Sequence, residues 1–163
     1  MKHFYQTDQR LYFVMPYITG GELYKVLKSK RSFDEATIKF FIAQIIIGLG
    51  KLHEKGIMHR DLKLENIMLD TNGYVKIIDF GMAKMLETPN QLAHTVCGTP
   101  EYYAPELINE EGYDKTVDWW ACGILIYEML TGVTPFFAQM RNRLYQNIRS
   151  GNVNWPANRP CSD

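Results

Sequence analysis

The sequence has little cysteine, no excess of either charge and no long uninterrupted apolar run. Its three cysteines, Cys97, Cys122 and Cys161, form an odd, widely spaced set, which argues against a disulfide framework and a structural zinc site. Eighteen basic and eighteen acidic side chains give a formal net charge of +0, so bulk charge attracts neither nucleic acid nor anionic membrane. The apolar stretch from Ile42 to Ile47 is too short to span a bilayer, and the first residues lack a signal-peptide pattern. These absences predict a cytoplasmic protein, with the nucleus as the alternative, without a membrane segment or a nucleic-acid partner.

Length and composition indicate one ordered domain. The 163 residues are 46% hydrophobic and 22% charged, which is enough apolar material for a substantial single core. Internal repeats, low-complexity tracts and interdomain linkers are not visible. We therefore expect a single domain that is mainly helical.

The hydrophobic pattern predicts four helices. Ser32-Phe33-Asp34-Glu35 fits a capping box, in which the Ser32 side chain would accept the N–H of Glu35 and so begin the longest helix. In that helix, apolar residues from Ile38 to Leu52 recur at helical spacing, Ile46 among them. The segment from Asp118 to Leu130 is apolar on every side, as in a helix buried at the centre of a domain. The four predicted helices are Glu22 to Lys30, the capping box to Gly56, Asp118 to Leu130, and Phe136 to Arg149.

Short strands are predicted around a polar segment. Asn72-Gly73 is a strong hairpin signal, and the strands that it joins would bring Asn66 and Asp79 close together. Two oxygen ligands at such a point suit Mg²⁺ bound to phosphates. Met82 to Thr99 has no sustained periodicity and is predicted to be an extended loop. The predicted strands are Arg10 to Tyr17, Ile57-Met58, Ile67 to Leu69 and Tyr74 to Ile78.

Four motifs in a fixed order resemble the eukaryotic protein kinase family. They are His59-Arg60-Asp61-Leu62-Lys63-Leu64-Glu65-Asn66, Asp79-Phe80-Gly81, Gly98 to Glu106, and Asp118-Trp119-Trp120-Ala121 with Gly123. The segments Gly20-Gly21-Glu22-Leu23 and Cys97 to Tyr102 are similar to those of the AGC group, which contains the cyclic-nucleotide-dependent and Akt-like serine/threonine kinases. The resemblance covers almost the entire chain, and agreement of four ordered motifs is far more specific than any single triplet.

The resemblance implies an α+β, protein-kinase-like fold with a mainly helical large lobe and short β-hairpins. Residues 1–15 would be the last strands of the small lobe, 16–21 the hinge, and 22–163 a large lobe that stops before its final helices. Most of the small lobe is expected to be missing, since the sequence has no Gly-x-Gly-x-x-Gly loop and no Val-Ala-Ile-Lys strand ahead of the motifs.

The same resemblance implies an ATP-dependent serine/threonine kinase that uses Mg²⁺. Asp61 would accept or orient the proton of the acceptor hydroxyl, and Lys63 would neutralise charge on the transferred phosphoryl group. Thr99 would hydrogen-bond both, whereas Asn66 and Asp79 would hold the metal. Taken alone, Asp61 could equally be a loop residue that caps a turn, and Thr99 a turn residue beside Pro100.

The nucleotide site is expected to involve the hinge. Met15 resembles the residue that guards the adenine pocket, the Pro16 carbonyl and Ile18 amide would face the purine, and Met68 would form the floor. Met15 and Met68 could also be plain core residues. The full set of expected ATP-binding residues is Met15, Pro16, Ile18, Glu22, Lys63, Glu65, Asn66, Met68 and Asp79.

Four acidic residues resemble the positions that recognise arginines upstream of the acceptor residue. Carboxylates match guanidinium groups in geometry and charge, so they would give selectivity without net charge on the protein. The alternative for each is a solvated surface glutamate or a structural ion pair. The four are Glu22, Glu65, Glu101 and Glu128.

Thr95 resembles an activation-loop phosphorylation site for an upstream activating kinase. A phosphate there adds roughly −1.5 to −2 charge at neutral pH, and Arg60 and Lys84 would pair with it. Cys97 nearby could be a redox-sensitive thiol, although a small loop residue is the simpler reading.

Three interpretations of the whole chain remain open. It could be the catalytic-lobe part of an active kinase acting on Ser or Thr of protein substrates, a kinase-like interaction module without phosphotransfer (a pseudokinase), or a marginally stable piece without an independent role. Asp61, Lys63, Asn66 and Asp79 are all present, which argues against the second. On its own the chain is expected to have weak or no activity, because a covering loop and a phosphate-gripping lysine are absent from it.

Overall fold

Three two-stranded antiparallel ribbons alternate with helices along the chain. The structure is a computed structural model that describes residues 1–88 and 91–156, so Cys161 lies outside the described residues. The ribbons pair β1 with β2, β3 with β6 and β4 with β5. The strands are β1 (His3–Gln6), β2 (Leu11–Val14), β3 (Ile57–Met58), β4 (Ile67–Leu69), β5 (Val75–Ile77) and β6 (Lys84–Met85). The helices are α1 (Leu23–Lys30), α2 (Glu35–Glu54), α3 (Pro105–Asn109), α4 (Thr116–Thr131) and α5 (Arg141–Ser150). The α+β prediction, with helix predominating, is confirmed.

The N-terminus of α2 differs from the predicted capping box. Its N-cap residue is Asp34, which has extended backbone angles and accepts the N–H of Thr37 at 2.8 Å through Oδ1. The prediction that Ser32 caps the helix was wrong. Asp is as good an N-cap as Ser, and here the helix begins one residue after Asp34, so its side chain reaches the first free N–H groups.

Helix α2 presents one apolar side to the core. Ile45 and Leu49 are fully buried, as the spacing predicted, but Ile46 is 46% exposed and lies off the buried stripe. The helix is long and apolar enough to cross a membrane by length and composition, and 33% of its most apolar window is buried inside the domain. Core helices of soluble proteins can have the same length and composition, so the expected absence of a membrane segment stays a prediction.

Helix α4 packs against α2 and carries the largest share of the core. Leu125 and Met129 are fully buried, and Asp118 is 1% exposed. The prediction that α4 is buried on every side was wrong, because Trp119 and Ile126 are each more than a third exposed. An apolar sequence shows that a helix can be buried, but it does not show how many neighbouring elements cover the helix.

The hairpin and the loop behave differently from each other. β4 and β5 pair in the register Ile67 to Ile77, which confirms the predicted hairpin around Asn72-Gly73. The segment from Met82 to Thr99 was predicted to be an extended loop, yet β6 within it pairs with β3, and Ala93 forms an isolated bridge with Tyr113. Each pairing joins residues that are far apart in the sequence, and each strand in it is only one or two residues long. The local sequence pattern therefore carries no signal for these pairings.

The last helix is shorter than predicted. It begins at Arg141 rather than at Phe136, and Phe136 instead stacks on Trp120 at 5.8 Å between ring centroids. Phe136 is therefore buried without being helical. An apolar residue that precedes a helix can continue the helical spacing of the apolar residues inside it, so the sequence pattern placed Phe136 in the helix. The short helix α3 had no counterpart in the sequence prediction.

The hairpin of β1 and β2 extends away from the helices. All eight of its residues are exposed, and its closest ring contact is internal, between Phe4 and Phe13 at 5.4 Å. The chain then runs through Gly20, whose N–H donates to the Leu69 carbonyl at 2.9 Å. A Cβ at residue 20 would lie 2.4 Å from that carbonyl oxygen, so glycine permits the close approach of this segment to β4.

Candidate active site

The segment that carries Asp61 is fixed by a carboxylate from the first turn of α4. Asp118 Oδ2 accepts the backbone N–H of His59 at 2.9 Å, and its Oδ1 accepts the N–H of Arg60 at 2.9 Å. Arg60 has a φ of 67°, a left-handed conformation that is costly for a residue with a side chain. Two hydrogen bonds to one buried carboxylate offset that cost and set the direction in which the chain enters Asp61.

A buried histidine completes the surroundings of Asp118. His53 Nε2 lies 2.8 Å from Asp118 Oδ2, and its ring meets Trp119 edge-on at 5.0 Å. Asp118 belongs to one of the four predicted motifs, but neither Asp118 nor His53 had a predicted role. The sequence did contain a signal for a partner of Asp118, since a carboxylate in an apolar helix must be paired or hydrogen-bonded when it is buried.

Four predicted catalytic side chains form one hydrogen-bonded group. Lys63 Nζ lies 2.9 Å from Asp61 Oδ2 and donates to Thr99 Oγ1 at 2.9 Å. The Thr99 hydroxyl in turn donates to Asp61 Oδ1 at 2.7 Å, and Asn66 Nδ2 donates to the Asp61 carbonyl at 2.8 Å and to Asp61 Oδ2 at 3.1 Å. The Asp61 carboxylate is therefore held from three sides, beside an ammonium group that can face an incoming anion.

Asn66 and Asp79 are brought to neighbouring positions by the hairpin. The N–H of Ile78 donates to the Asn66 carbonyl at 2.9 Å, so Asp79 follows directly after the residue that pairs with Asn66. Asp79 has a φ of 59° and an exposed side chain whose Oδ1 accepts the N–H of Gly81 at 3.1 Å. Because Asn66 uses its Nδ2 atom to hold Asp61, its side-chain oxygen remains as an acceptor.

This donor set fits a partly ligated Mg²⁺ ion. One amide oxygen and one carboxylate are hard ligands, and Mg²⁺ takes its remaining ligands from phosphates and water. Within residues 1–88 and 91–156, three or more His, Cys, Asp or Glu side chains nowhere gather as a metal cluster. A site at Asn66 and Asp79 would take its further ligands from phosphate oxygens and water.

Three of the predicted nucleotide residues, Met15, Pro16 and Ile18, follow β2 directly. Met15 is 66% exposed and Pro16 is exposed in this structure. Ile18 and Met68 are half-buried, and Met68 forms a β-bridge with Glu22. The structure therefore places the expected floor residue next to the expected hinge.

Three of the four predicted arginine-binding carboxylates line one cavity of about 430 Å³. Glu65, Glu101 and Glu128 share it with Thr99, which links the cavity to the group around Asp61. Glu22 is not part of its lining, and its Oε1 pairs instead with Lys25 Nζ at 2.7 Å. Glu22 therefore stays a predicted arginine-binding residue, and its partner in this structure is Lys25.

Among the described residues, three carboxylates and one lysine line the cavity. The Tyr102 hydroxyl donates to the buried Glu128 carboxylate, and Glu65 Oε2 is buried without a hydrogen-bond partner in the described part of the chain. Burial raises the pKa of the Glu128 carboxyl above its ordinary value; the hydrogen bond from Tyr102 opposes this shift and the charge of Glu65 adds to it. Lys28 lines the rim, with its Nζ 5.2 Å from the centre of the Tyr24 ring. A guanidinium group would relieve the repulsion between these carboxylates.

The predicted regulatory residues are connected through a tyrosine that the sequence analysis missed. Arg60 Nη1 donates to the Tyr113 hydroxyl at 3.1 Å, and that hydroxyl donates to the Thr95 carbonyl at 2.5 Å. Lys84 pairs with Met58, two residues before Arg60. The side chain of Thr95 is exposed, and Cys97 beside it is a half-buried free thiol.

Comparison with known proteins agrees with this geometry. The family model described as "Protein kinase domain" matches residues 1–162. The chain belongs to the protein kinase family. Its members use ATP and Mg²⁺.

Curated relatives place the kinase chain in the AGC group. It is 45% identical over 152 residues to the cAMP-dependent protein kinase type 3 of Saccharomyces cerevisiae, covering 93% of this chain and 37% of that protein. It is 48% identical over 143 residues to the serine/threonine-protein kinase Sgk1-B of Xenopus laevis, covering 88% of this chain and 33% of the relative. The cAMP-dependent protein kinase catalytic subunit of Schizosaccharomyces pombe is 46% identical over 153 residues, or 94% of this chain and 30% of its own length. The chain thus spans about a third of the length of these relatives.

Proposed function

We propose that this chain carries the phosphoryl-accepting side of an ATP-dependent serine/threonine kinase that prefers substrates with a nearby arginine. The observation that supports this most directly is the hydrogen-bonded group of Asp61, Lys63, Asn66 and Thr99. A carboxylate alone is common in loops, but one held by an ammonium, an amide and a hydroxyl has a fixed orientation suited to catalysis.

Each residue has a task that its contacts support. Asp61 accepts or orients the proton of the substrate hydroxyl, and Thr99 keeps its carboxylate from rotating. The Lys63 ammonium lies beside the reacting oxygen, where it stabilises negative charge that grows in the transition state. Asn66 and Asp79 would hold Mg²⁺, which when bound shields the charge of the ATP phosphates.

Substrate preference follows from the acidic cavity. Glu65, Glu101 and Glu128 supply three carboxylates to a space that also touches Thr99, so an arginine bound there would lie near the acceptor hydroxyl at Asp61. The partners are then proteins with a Ser or Thr close to an arginine. Thr95 would be phosphorylated by an upstream kinase, and the protein would act in the cytoplasm or nucleus without binding nucleic acid or inserting in a membrane.

The test is phosphate transfer from labelled ATP to a peptide with an arginine ahead of a serine. The chain is assayed alone and joined to an N-terminal kinase segment that contains a Gly-x-Gly-x-x-Gly loop and a Val-Ala-Ile-Lys strand. We expect little transfer from the chain alone and clear transfer from the joined protein. Asp61→Asn should lower kcat by about 10² to 10⁴.

Two controls separate the alternatives. In the joined protein, replacing the arginine of the peptide by alanine should lower kcat/KM. In a Glu65→Gln, Glu128→Gln variant the same replacement should leave kcat/KM unchanged, because that variant already lacks the preference for arginine. If the joined protein binds ATP and remains folded but transfers no phosphate, the chain is a kinase-like interaction module. Transfer that survives Asp61→Asn unchanged would also reject the assigned roles.

A further inference from the structure

The Tyr113 hydroxyl joins the two parts of the predicted regulatory site. It donates to the Thr95 carbonyl at 2.5 Å and accepts from Arg60 Nη1 at 3.1 Å. Tyr113 is 3% exposed, and both contacts are partly buried. One buried hydroxyl therefore sets the separation between the threonine and the guanidinium group that would meet its phosphate.

The backbone of Tyr113 also binds the loop, through two hydrogen bonds to Ala93. The N–H of Tyr113 donates to the Ala93 carbonyl at 2.9 Å, and the N–H of Ala93 donates back to the Tyr113 carbonyl at 2.8 Å. Thr95 follows two residues later, and its side chain is exposed. The backbone around Thr95 is thus fixed while its hydroxyl stays accessible to a modifying enzyme.

Arg60 is already in place before any phosphate arrives. Its Nε donates to the Met82 carbonyl at 2.6 Å, and its backbone N–H is held by Asp118. Its third nitrogen, Nη2, has no hydrogen-bond partner among the residues that the structure describes. A planar guanidinium fixed through two nitrogens leaves the remaining donors free for a phosphate oxygen.

We propose that Tyr113 is a positioning residue that preassembles the phosphothreonine site by holding Thr95 and Arg60 against each other. This inference rests on the proposed function, because it requires Thr95 to be a phosphosite. Preorganisation increases the free energy that a new ion pair contributes, since less conformational entropy is lost when the pair forms. A tyrosine hydroxyl is protonated at neutral pH and can donate to Thr95, and burial raises the pKa of Tyr113 further.

The experiment compares the effect of phosphate in matched variants of the whole chain. Phosphothreonine is installed at residue 95 by genetic encoding, and proteolysis within residues 82–99 and amide exchange within residues 91–99 are followed. In the wild-type chain the phosphate should slow proteolysis by about tenfold, as expected for one new charge-assisted hydrogen bond. In Tyr113→Phe the slowing should fall to about threefold or less.

Tyr103→Phe is the matched control. The Tyr103 hydroxyl donates to the Gly98 carbonyl at 3.2 Å, so this variant also removes a tyrosine contact to the same segment, but one that does not involve Arg60. It should retain the full effect of the phosphate. A purely structural role for Tyr113 would loosen the segment equally with and without phosphate, and the ratio would not change.

The outcomes distinguish the inference from the proposed function. Equal phosphate effects in the wild-type chain and in Tyr113→Phe would overturn the role of Tyr113, whereas an absent effect in the wild-type chain would reject the phosphosite itself. If Tyr113→Phe does not fold, 3-fluorotyrosine at residue 113 keeps the hydroxyl and reports through its fluorine resonance. That resonance should shift when Thr95 carries phosphate, and an unchanged resonance would contradict the proposal.

Discussion

The backbone N–H of Arg60 donates to Oδ1 of Asp118 at 2.9 Å, although the two residues lie 58 positions apart in the sequence. The hydrogen bond ties a strained loop residue to the most deeply packed helix of the domain. The orientation of Asp61, one residue further on, therefore depends on the core of the protein and not on the loop alone.

Removing this carboxylate should destabilise the fold. Asp118→Asn keeps the side-chain volume but replaces one acceptor oxygen by a donor that faces a backbone N–H or His53. We expect the free energy of unfolding to fall by about 3 kcal/mol, as is usual when a buried charged hydrogen-bond partner is lost. Urea unfolding checks this. Asp34→Asn is the control, because Asn caps a helix as well as Asp does and the change should stay within about 0.5 kcal/mol.

The hydroxyl of Thr99 should matter for catalysis more than its methyl group. Thr99→Ala removes the donor to Asp61 and the acceptor for Lys63, so kcat of the joined protein should fall by about 10- to 100-fold through misplacement of the carboxylate. Thr99→Ser keeps the hydroxyl and should retain most of the activity. Steady-state kinetics with the arginine-containing peptide provide the measurement. Equal losses in both variants would show that packing, and not the hydrogen bonds, is what Thr99 contributes.

Glu128 should make stability depend on pH in a direction opposite to that of most surface carboxylates. Its pKa is raised in the folded state from the model-peptide value of 4.5, chiefly by burial, so the folded protein binds more protons than the unfolded chain. This contribution to stability is present below the ordinary pKa and is lost as pH rises through the raised value.

Glu128→Gln should therefore stabilise the protein relative to the wild type at neutral pH, and the difference should shrink as pH falls through that window. Glutamine still accepts the hydrogen bond from Tyr102 but adds no charge beside Glu65. Urea unfolding across this pH range tests the prediction, with Glu111→Gln on the exposed surface as a control for net charge. A difference that does not vary with pH would mean that Glu128 has the same protonation in both states. The same variant should weaken binding of the arginine-containing peptide.

Two glycine substitutions should have opposite effects. Gly98 has a φ of 103°, and a Cβ there would lie 2.5 Å from the Arg60 carbonyl oxygen. Gly98→Ala should cost about 2 kcal/mol or more and displace the segment next to Asp61. Gly50 lies in α2 with open space where a Cβ would be, so Gly50→Ala should stabilise by about 0.5 to 1 kcal/mol. Thermal unfolding of the pair checks the signs.

The catalytic contacts were predictable where they are local. Asp61, Lys63 and Asn66 lie within six consecutive positions, so one motif brings them together whatever the rest of the chain does. Thr99 was predicted through family resemblance, because its contact with Asp61 crosses a segment without periodic pattern. The grouping of Glu65, Glu101 and Glu128 came by the same route, and the arginine-binding role of Glu22 stays a prediction.

The parts that could not be predicted depend on tertiary contacts. Strand β6 is two residues long and exists because β3 lies beside it, so no window of sequence reveals it. Ser32 and Asp34 are both good helix caps, and the choice between them depends on where the chain turns rather than on propensity. In the sequence, Tyr113 cannot be distinguished from other aromatic residues near a helix. Its proposed role depends entirely on the hydrogen bonds of its hydroxyl group.

The exposed hairpin of β1 and β2 has a consequence for how the stability of this protein is measured. An isolated two-stranded ribbon is marginal in water, so it should open at a much lower free energy than the helices around α4. The three tryptophans, Trp119, Trp120 and Trp155, all lie outside the hairpin. Tryptophan fluorescence will therefore follow the helical part alone, while amide exchange will detect a first opening that fluorescence does not report.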